Sequence, residues 1–144
     1  MKVSAGNEHS AILTDCGKVY TFGFNGSGQL GQGNTSSIFV PTEIKVLSDK
    51  NVVFLGGANG CEHLIAITKE GKIYTCGYNN YGQLGHGNQT NLSTPTKIEN
   101  LNDKKVVHAS CSYYHSLILT ETSKEKEETN VYSVGRNENG QVKD

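Results

Sequence analysis

Residues 9–33 return, nearly unchanged in type, at residues 63–87. The first copy reads His9-Ser-Ala-Ile-Leu-Thr14, Asp15-Cys-Gly-Lys18, Val19-Tyr-Thr-Phe-Gly23, then Phe24-Asn-Gly-Ser-Gly-Gln-Leu-Gly-Gln-Gly33. The second reads His63-Leu-Ile-Ala-Ile-Thr68, Lys69-Glu-Gly-Lys72, Ile73-Tyr-Thr-Cys-Gly77, then Tyr78-Asn-Asn-Tyr-Gly-Gln-Leu-Gly-His-Gly87. His9 and His63, Gly23 and Gly77, Gly31 and Gly85, and Pro41 and Pro95 all stand 54 residues apart. A third copy holds His115-Ser-Leu-Ile-Leu-Thr120, Val131-Tyr-Ser-Val-Gly135 and Arg136-Asn-Glu-Asn-Gly-Gln-Val142, with six additional residues within 121–130. Self-similarity at a fixed period means stacked copies of one supersecondary unit, because a single unit cannot bury its own apolar faces.

Each unit reads as strands. The run from His to Thr is mostly apolar and six residues long, as for a strand covered on both faces. Gly17 and Gly71 sit where a hairpin turn demands positive φ. Val19–Phe22 and Ile73–Cys76 are rich in β-formers and make the return strand. Further strands are expected at Thr42–Leu47 and Thr96–Leu101, and at Asn51–Leu55 and Lys105–Ala109. No segment sustains a 3.6-residue period for three turns, and 17 glycines against 2 prolines suit many turns. The expectation is an all-β chain of four-stranded antiparallel units, approximately 1–51, 52–105 and 106–144, the last incomplete. Ala11, Ala66, Leu13 and Ile67 are the positions expected to meet between units.

Composition narrows the function. Lys and Arg total 13, Asp and Glu total 14, and the net charge is −1, which disfavours a nucleic-acid groove working by charge alone. No apolar run reaches the roughly 18 residues of a membrane span, and the amino-terminal residues lack the apolar core of a signal peptide. Cys16, Cys61, Cys76 and Cys111 show no C-x-x-C spacing, so reduced structural thiols in the cytoplasm or nucleus are expected, with no metal assigned. The N-x-S/T sequons at Asn25, Asn34, Asn88 and Asn91 read as chance in Asn-rich turns.

Three arrangements resemble chemistry without carrying it. Gly26-Ser-Gly28-Gln-Leu-Gly31 matches G-x-G-x-x-G, but Gln32-Gly-Asn-Thr-Ser-Ser37 is poor helix material, and the second copy replaces the first Gly by Asn80. A repeated tight turn is expected, and no cofactor. His9, His63 and His115 recur once per unit and cannot converge on one metal unless they line the axis; hydrogen-bonded structural histidines are expected, with a pore-lining or partner-contact role as the alternative. Ser10 and Ser116 follow His in the first and third copies, whereas Leu64 follows it in the second, so no catalytic set is expected. The Lys124–Glu128 run reads as a solvated hairpin tip.

The pattern G-x-x-H-S-x-x-L-T, a hairpin Gly, V-Y-x-x-G-x-N-x-x-G-Q-L-G-x-G and a downstream Pro resembles the regulator-of-chromosome-condensation repeat. Gly6 through Gly33, Gly60 through Gly87 and Ser112 through Val142 carry it. The resemblance implies a partial β-propeller, two to three blades of a seven-bladed type, completed by further blades or by self-association. It also implies a non-catalytic protein–protein interaction module. Its alternatives are a guanine-nucleotide exchange factor for a Ran-like small GTPase and the substrate-recognition part of a ubiquitin ligase. Exchange activity in the family uses a wedge inserted after a strand-ending Gly, and Gly23, Gly77 and Gly135 are each followed by a short junction instead. The sequence departs from the family in its Phe22, Cys76 and Val134, where Trp is common, and in Ser112, where Gly is usual. Positions that differ between copies on loops of a rigid scaffold suit partner recognition. Phe24, Tyr78, Tyr81 and Arg136 are therefore expected on one rim, contacting a protein partner.

Overall fold

The computed structural model describes residues 1–56, 60–121 and 129–142. The Lys124–Glu128 run lies outside them. Three antiparallel sheets follow one another along the chain. The first holds β1 (Lys2–Ala5), β2 (His9–Leu13), β3 (Val19–Gly23) and β4 (Ile38–Glu43) in that spatial order. The second repeats it with β5 (Val52–Gly56), β6 (His63–Thr68), β7 (Ile73–Gly77) and β8 (Leu92–Lys97). The third has β9 (Lys105–Cys111), β10 (His115–Glu121) and β11 (Thr129–Gly135). These are propeller blades, and the all-β expectation holds.

Stacking explains the burial pattern. Every residue of β6 is buried, whereas β2 and β10 alternate. The middle sheet is covered twice and the outer sheets once. Ala11, Leu13 and Val19 of the first sheet pack against Leu64, Ala66 and Cys76 of the second. On the other side Ile65, Ile67 and Ile73 pack against Val106, Ala109 and Ile118 of the third. Each fully buried branched side chain contributes roughly 1.5–3 kcal/mol relative to exposure, so these two seams hold the stack together. The outermost faces are uncovered. Val3 is 78 % exposed on the first sheet and Val131 67 % exposed on the third.

The strands expected at Thr42–Leu47 and Thr96–Leu101 are displaced. The strands are Ile38–Glu43 and Leu92–Lys97, and the chain then coils into 3₁₀ turns at Lys45–Leu47 and Glu99–Leu101. Ile44 and Leu47 lie three residues apart, as do Ile98 and Leu101, and all four are buried. A 3₁₀ turn superposes residues at that spacing, whereas a strand would send them to opposite faces. Pro41 and Pro95 fall on edge strands, where a missing N–H breaks no ladder.

Ser116 has a definite task. Its hydroxyl donates to the Gln83 carbonyl (2.9 Å) and lies 2.7 Å from His63 Nε2, linking the third sheet to the second. At the preceding seam the equivalent position is Leu64, packed in the apolar cluster with Ala11 and Leu13. His9 Nδ1, beside Gly6, has no partner among the described residues. Desolvation holds both imidazoles neutral, lowering His9 to about 4 and His63 to about 3. Ser116→Ala leaves a buried imidazole nitrogen and a carbonyl unsatisfied, and we expect it to cost about 1–3 kcal/mol by urea denaturation. Ser10→Ala, on the uncovered face of the first sheet, should stay within about 0.5 kcal/mol of the parent.

Candidate functional site

One backbone contact recurs at the same end of each sheet. Phe24 N–H donates to the Glu8 carbonyl (2.9 Å), Tyr78 N–H to Glu62 (3.0 Å) and Arg136 N–H to Tyr114 (2.9 Å). It forms because the His opening the second strand pairs with the Gly closing the third: His9 with Gly23, His63 with Gly77, His115 with Gly135. Those glycines have φ of 114°, 110° and 120°, and a Cβ on Gly77 would lie 2.7 Å from the Glu62 carbonyl. The loop before His and the loop after Gly are thereby tied side by side.

The loops of the second and third sheets build an aromatic and cationic rim. The Tyr81 and Tyr114 rings lie 4.8 Å apart, Tyr113 and Tyr114 4.6 Å, and Tyr78 lies 6.4 Å from Tyr81 and 6.3 Å from Tyr114. The Arg136 guanidinium stands over both central rings, 5.4 Å from Tyr81 and 5.5 Å from Tyr114, within cation–π range. Arg136 also pairs with Glu138. At the edge Tyr113 donates to Glu62 Oε1 (3.2 Å), and Asn7 Nδ2 of the first sheet reaches Tyr113 Oη (3.3 Å) and Glu62 (3.4 Å). The Glu62 carboxylate raises the Tyr113 phenol above its ordinary range. Desolvation and the Tyr81 phenol raise that of Tyr78. These phenols therefore stay protonated at neutral pH and can donate as well as accept.

Of the four rim residues expected from sequence, the structure gathers Tyr78, Tyr81 and Arg136. Phe24 sits at the same end but folds over its own loop, where a Cβ on Gly26 would lie 2.4 Å from its ring. Among the described residues no ring contact joins Phe24 to the tyrosines. Tyr113, Tyr114 and Glu62 join them, and no sequence pattern singles these three out. They occupy the positions just before His, which the His-to-Gly strand pairing brings beside the post-Gly loops.

The Gly26–Gly31 segment is two successive turns, with Gly28 N–H donating to Asn25 (2.9 Å) and Gly31 N–H to Gly28 (3.0 Å). Asn25 fastens it, accepting from Leu30 N–H (2.9 Å) and donating to the carbonyls of Asn34 (2.9 Å) and Ser36 (3.0 Å). Among the described residues no helix is long and apolar enough to cross a membrane.

Models of the regulator of chromosome condensation (RCC1) repeat match residues 16–67 and 70–119, and a second RCC1-repeat model matches 2–29 and 106–141. The chain belongs to the RCC1-repeat family. It is similar to the ultraviolet-B receptor UVR8 of Arabidopsis thaliana, with 34 % identity over 140 residues, 97 % of the chain and 30 % of UVR8. Among solved structures, human WBSCR16 superposes with a TM-score of 0.81 at 25 % identity, over 99 % of the chain and 36 % of WBSCR16. Prp20p of Saccharomyces cerevisiae, reported with its binding properties to Gsp1p and histones, gives 0.75 at 20 % identity over 93 % of the chain and 32 % of Prp20p. The RCC1-repeat chain thus spans about a third of the length of each.

Proposed function

We propose that this RCC1-repeat chain is a non-catalytic protein-recognition module whose contact surface is the Tyr78, Tyr81, Tyr114 and Arg136 rim. The observation that carries the reading is the Arg136 guanidinium lying over two tyrosine rings at a loop end shared by neighbouring sheets. Tyr and Arg are enriched among the residues that hold protein partners, Tyr because it offers large rigid area at little rotamer entropy and Arg because its planar fork supplies directional donors. Packing against one another holds the rings in place before a partner arrives. The binding of Gsp1p and histones by Prp20p supports a protein partner of this kind. The same relative makes a GTPase the first one to test.

The experiment measures binding of the 144-residue chain to a Ran-type GTPase and to histones by calorimetry, beside GDP release from the GTPase. Expected are binding to one of them without accelerated release, and a loss of at least about 30-fold in Tyr81→Ala or Arg136→Ala, matching a hot spot of about 2 kcal/mol. Melting temperature should change little. Unaltered affinity in both variants removes the rim, and accelerated GDP release replaces the module with an exchange factor.

A further inference from the structure

We propose that Cys61, His63 and Cys111 form a buried three-coordinate site for copper(I), joining the second and third sheets. The proposal is independent of the rim. One ligand atom from each residue lies within 4.8 Å of the other two. Cys61 Sγ is 3.4 Å from His63 Nδ1. Cys61 and His63 are fully buried and Cys111 is 4 % exposed. Cys61 lies in the loop before β6, His63 opens β6, and Cys111 closes β9 of the next sheet.

Hydrogen-bond accounting fixes the imidazole in the form a metal needs. Ser116 has a single hydroxyl proton, and it goes to the Gln83 carbonyl. Toward His63 Nε2 the serine oxygen is therefore the acceptor, so Nε2 carries the ring proton. That leaves Nδ1 as an acceptor, 3.4 Å from the Cys61 sulfur, whose thiol donates to the His63 carbonyl (2.8 Å) and gives up that proton on ligation. A ligating His ordinarily has its other nitrogen held in this way by an outer partner.

The donor set selects the ion. Two thiolates and an imidazole are soft ligands, suited to copper(I) or zinc. Metal–sulfur bonds of about 2.3 Å and metal–nitrogen bonds of about 2.0 Å set trigonal ligand edges of roughly 3.5–4 Å, the scale of this cluster. Structural zinc almost always takes four protein ligands. Among the described residues this group offers three His, Cys or carboxylate donors, and three complete a copper(I) shell. Each thiol that ligates releases its proton to solvent. No electron moves, because the ion is supplied already reduced.

The test is an anaerobic titration of the 144-residue chain with copper(I) against a chromophoric copper(I) chelator. Cys16 is the exposed thiol, so the parent for all measurements carries Cys16→Ser. Expected are one tightly held equivalent, X-ray absorption showing two sulfurs and one nitrogen, and a higher melting temperature on loading. Cys111→Ser and His63→Gln should each weaken binding at least 100-fold, while Cys76→Ala retains it. The absorption spectrum of the parent reads the donor set even if a variant fails to fold. No equivalent held against the chelator, a shell without nitrogen, binding unchanged in Cys111→Ser, or zinc bound four-coordinate in preference to copper each overturns the assignment.

Discussion

Alanine at Gly28 is expected to destabilise the chain by at least about 3 kcal/mol, against about 1 kcal/mol for alanine at Gly87. The two glycines share a left-handed backbone, with φ of 82° and 73°. Their surroundings differ. A Cβ on Gly28 would stand 2.5 Å from Ser93 Cα and 2.9 Å from the Leu92 carbonyl, both backbone of β8 in the next sheet, whereas one on Gly87 meets nothing within 4 Å. Alanine at Gly87 therefore bears backbone strain alone. Alanine at Gly28 must also push the loop off its neighbour, loosening the Gly33 N–H bond to the Ser93 carbonyl (2.8 Å). In a chain of this size the first change should lower the melting temperature by roughly 6–12 °C and the second by a few degrees. Equal effects from the two variants would mean that close approach between sheets contributes nothing.

Asn79→Asp is expected to cost about 3 kcal/mol or more, for a reason unrelated to shape. The buried Asn79 amide donates to the carbonyls of Asn88 (3.0 Å) and Thr90 (2.9 Å) and accepts from Leu84 N–H (2.9 Å). Aspartate keeps the acceptor and deletes both donors. Two carbonyls are left facing a carboxylate oxygen, and each lost partner costs about 1–3 kcal/mol. Burial and those carbonyls would hold the introduced carboxyl above its unfolded value. Its folded state then takes up the proton first, so the deficit relative to the parent narrows as pH falls toward the unfolded carboxylate range. Urea unfolding at pH 7 and pH 4.5 measures both the deficit and its sign. Asn137 occupies the same place in the third copy but is exposed, with its oxygen accepting from Val142 N–H (2.9 Å). Asn137→Asp should therefore cost under about 1 kcal/mol.

The strands and their grouping into repeated sheets are legible, because a 54-residue offset aligns the His, Gly and Pro that fix register in the first two copies, and the third repeats the same His and Gly. The 3₁₀ turns are not. Thr42-Glu-Ile-Lys-Val-Leu47 alternates well enough for a strand, and only the seam between sheets shows that Ile44 and Leu47 must share a face. In the sequence, the change from Ser to Leu after His speaks only against catalysis. In the folded chain Ser116 supplies the hydrogen bond to His63 at one seam, and Leu64 joins the apolar packing of the other. Tyr78, Tyr81 and Arg136 stand where the copies differ. Tyr113 and Tyr114 precede the shared His, and sequence order hides that strand pairing brings Tyr114 against Arg136.

The seating of Gly28 on β8 gives the stack a direction. A loop of the first sheet reaches forward onto the second, and Gly85 of the second lies against Val134 of the third in the same sense. One end of the array therefore offers a loop and the other a bare strand to receive it. Two copies meeting about a two-fold axis would present like to like and match neither. Any sheet that extends this array must add head to tail, the mode of contact that either closes into a ring or runs on as a filament.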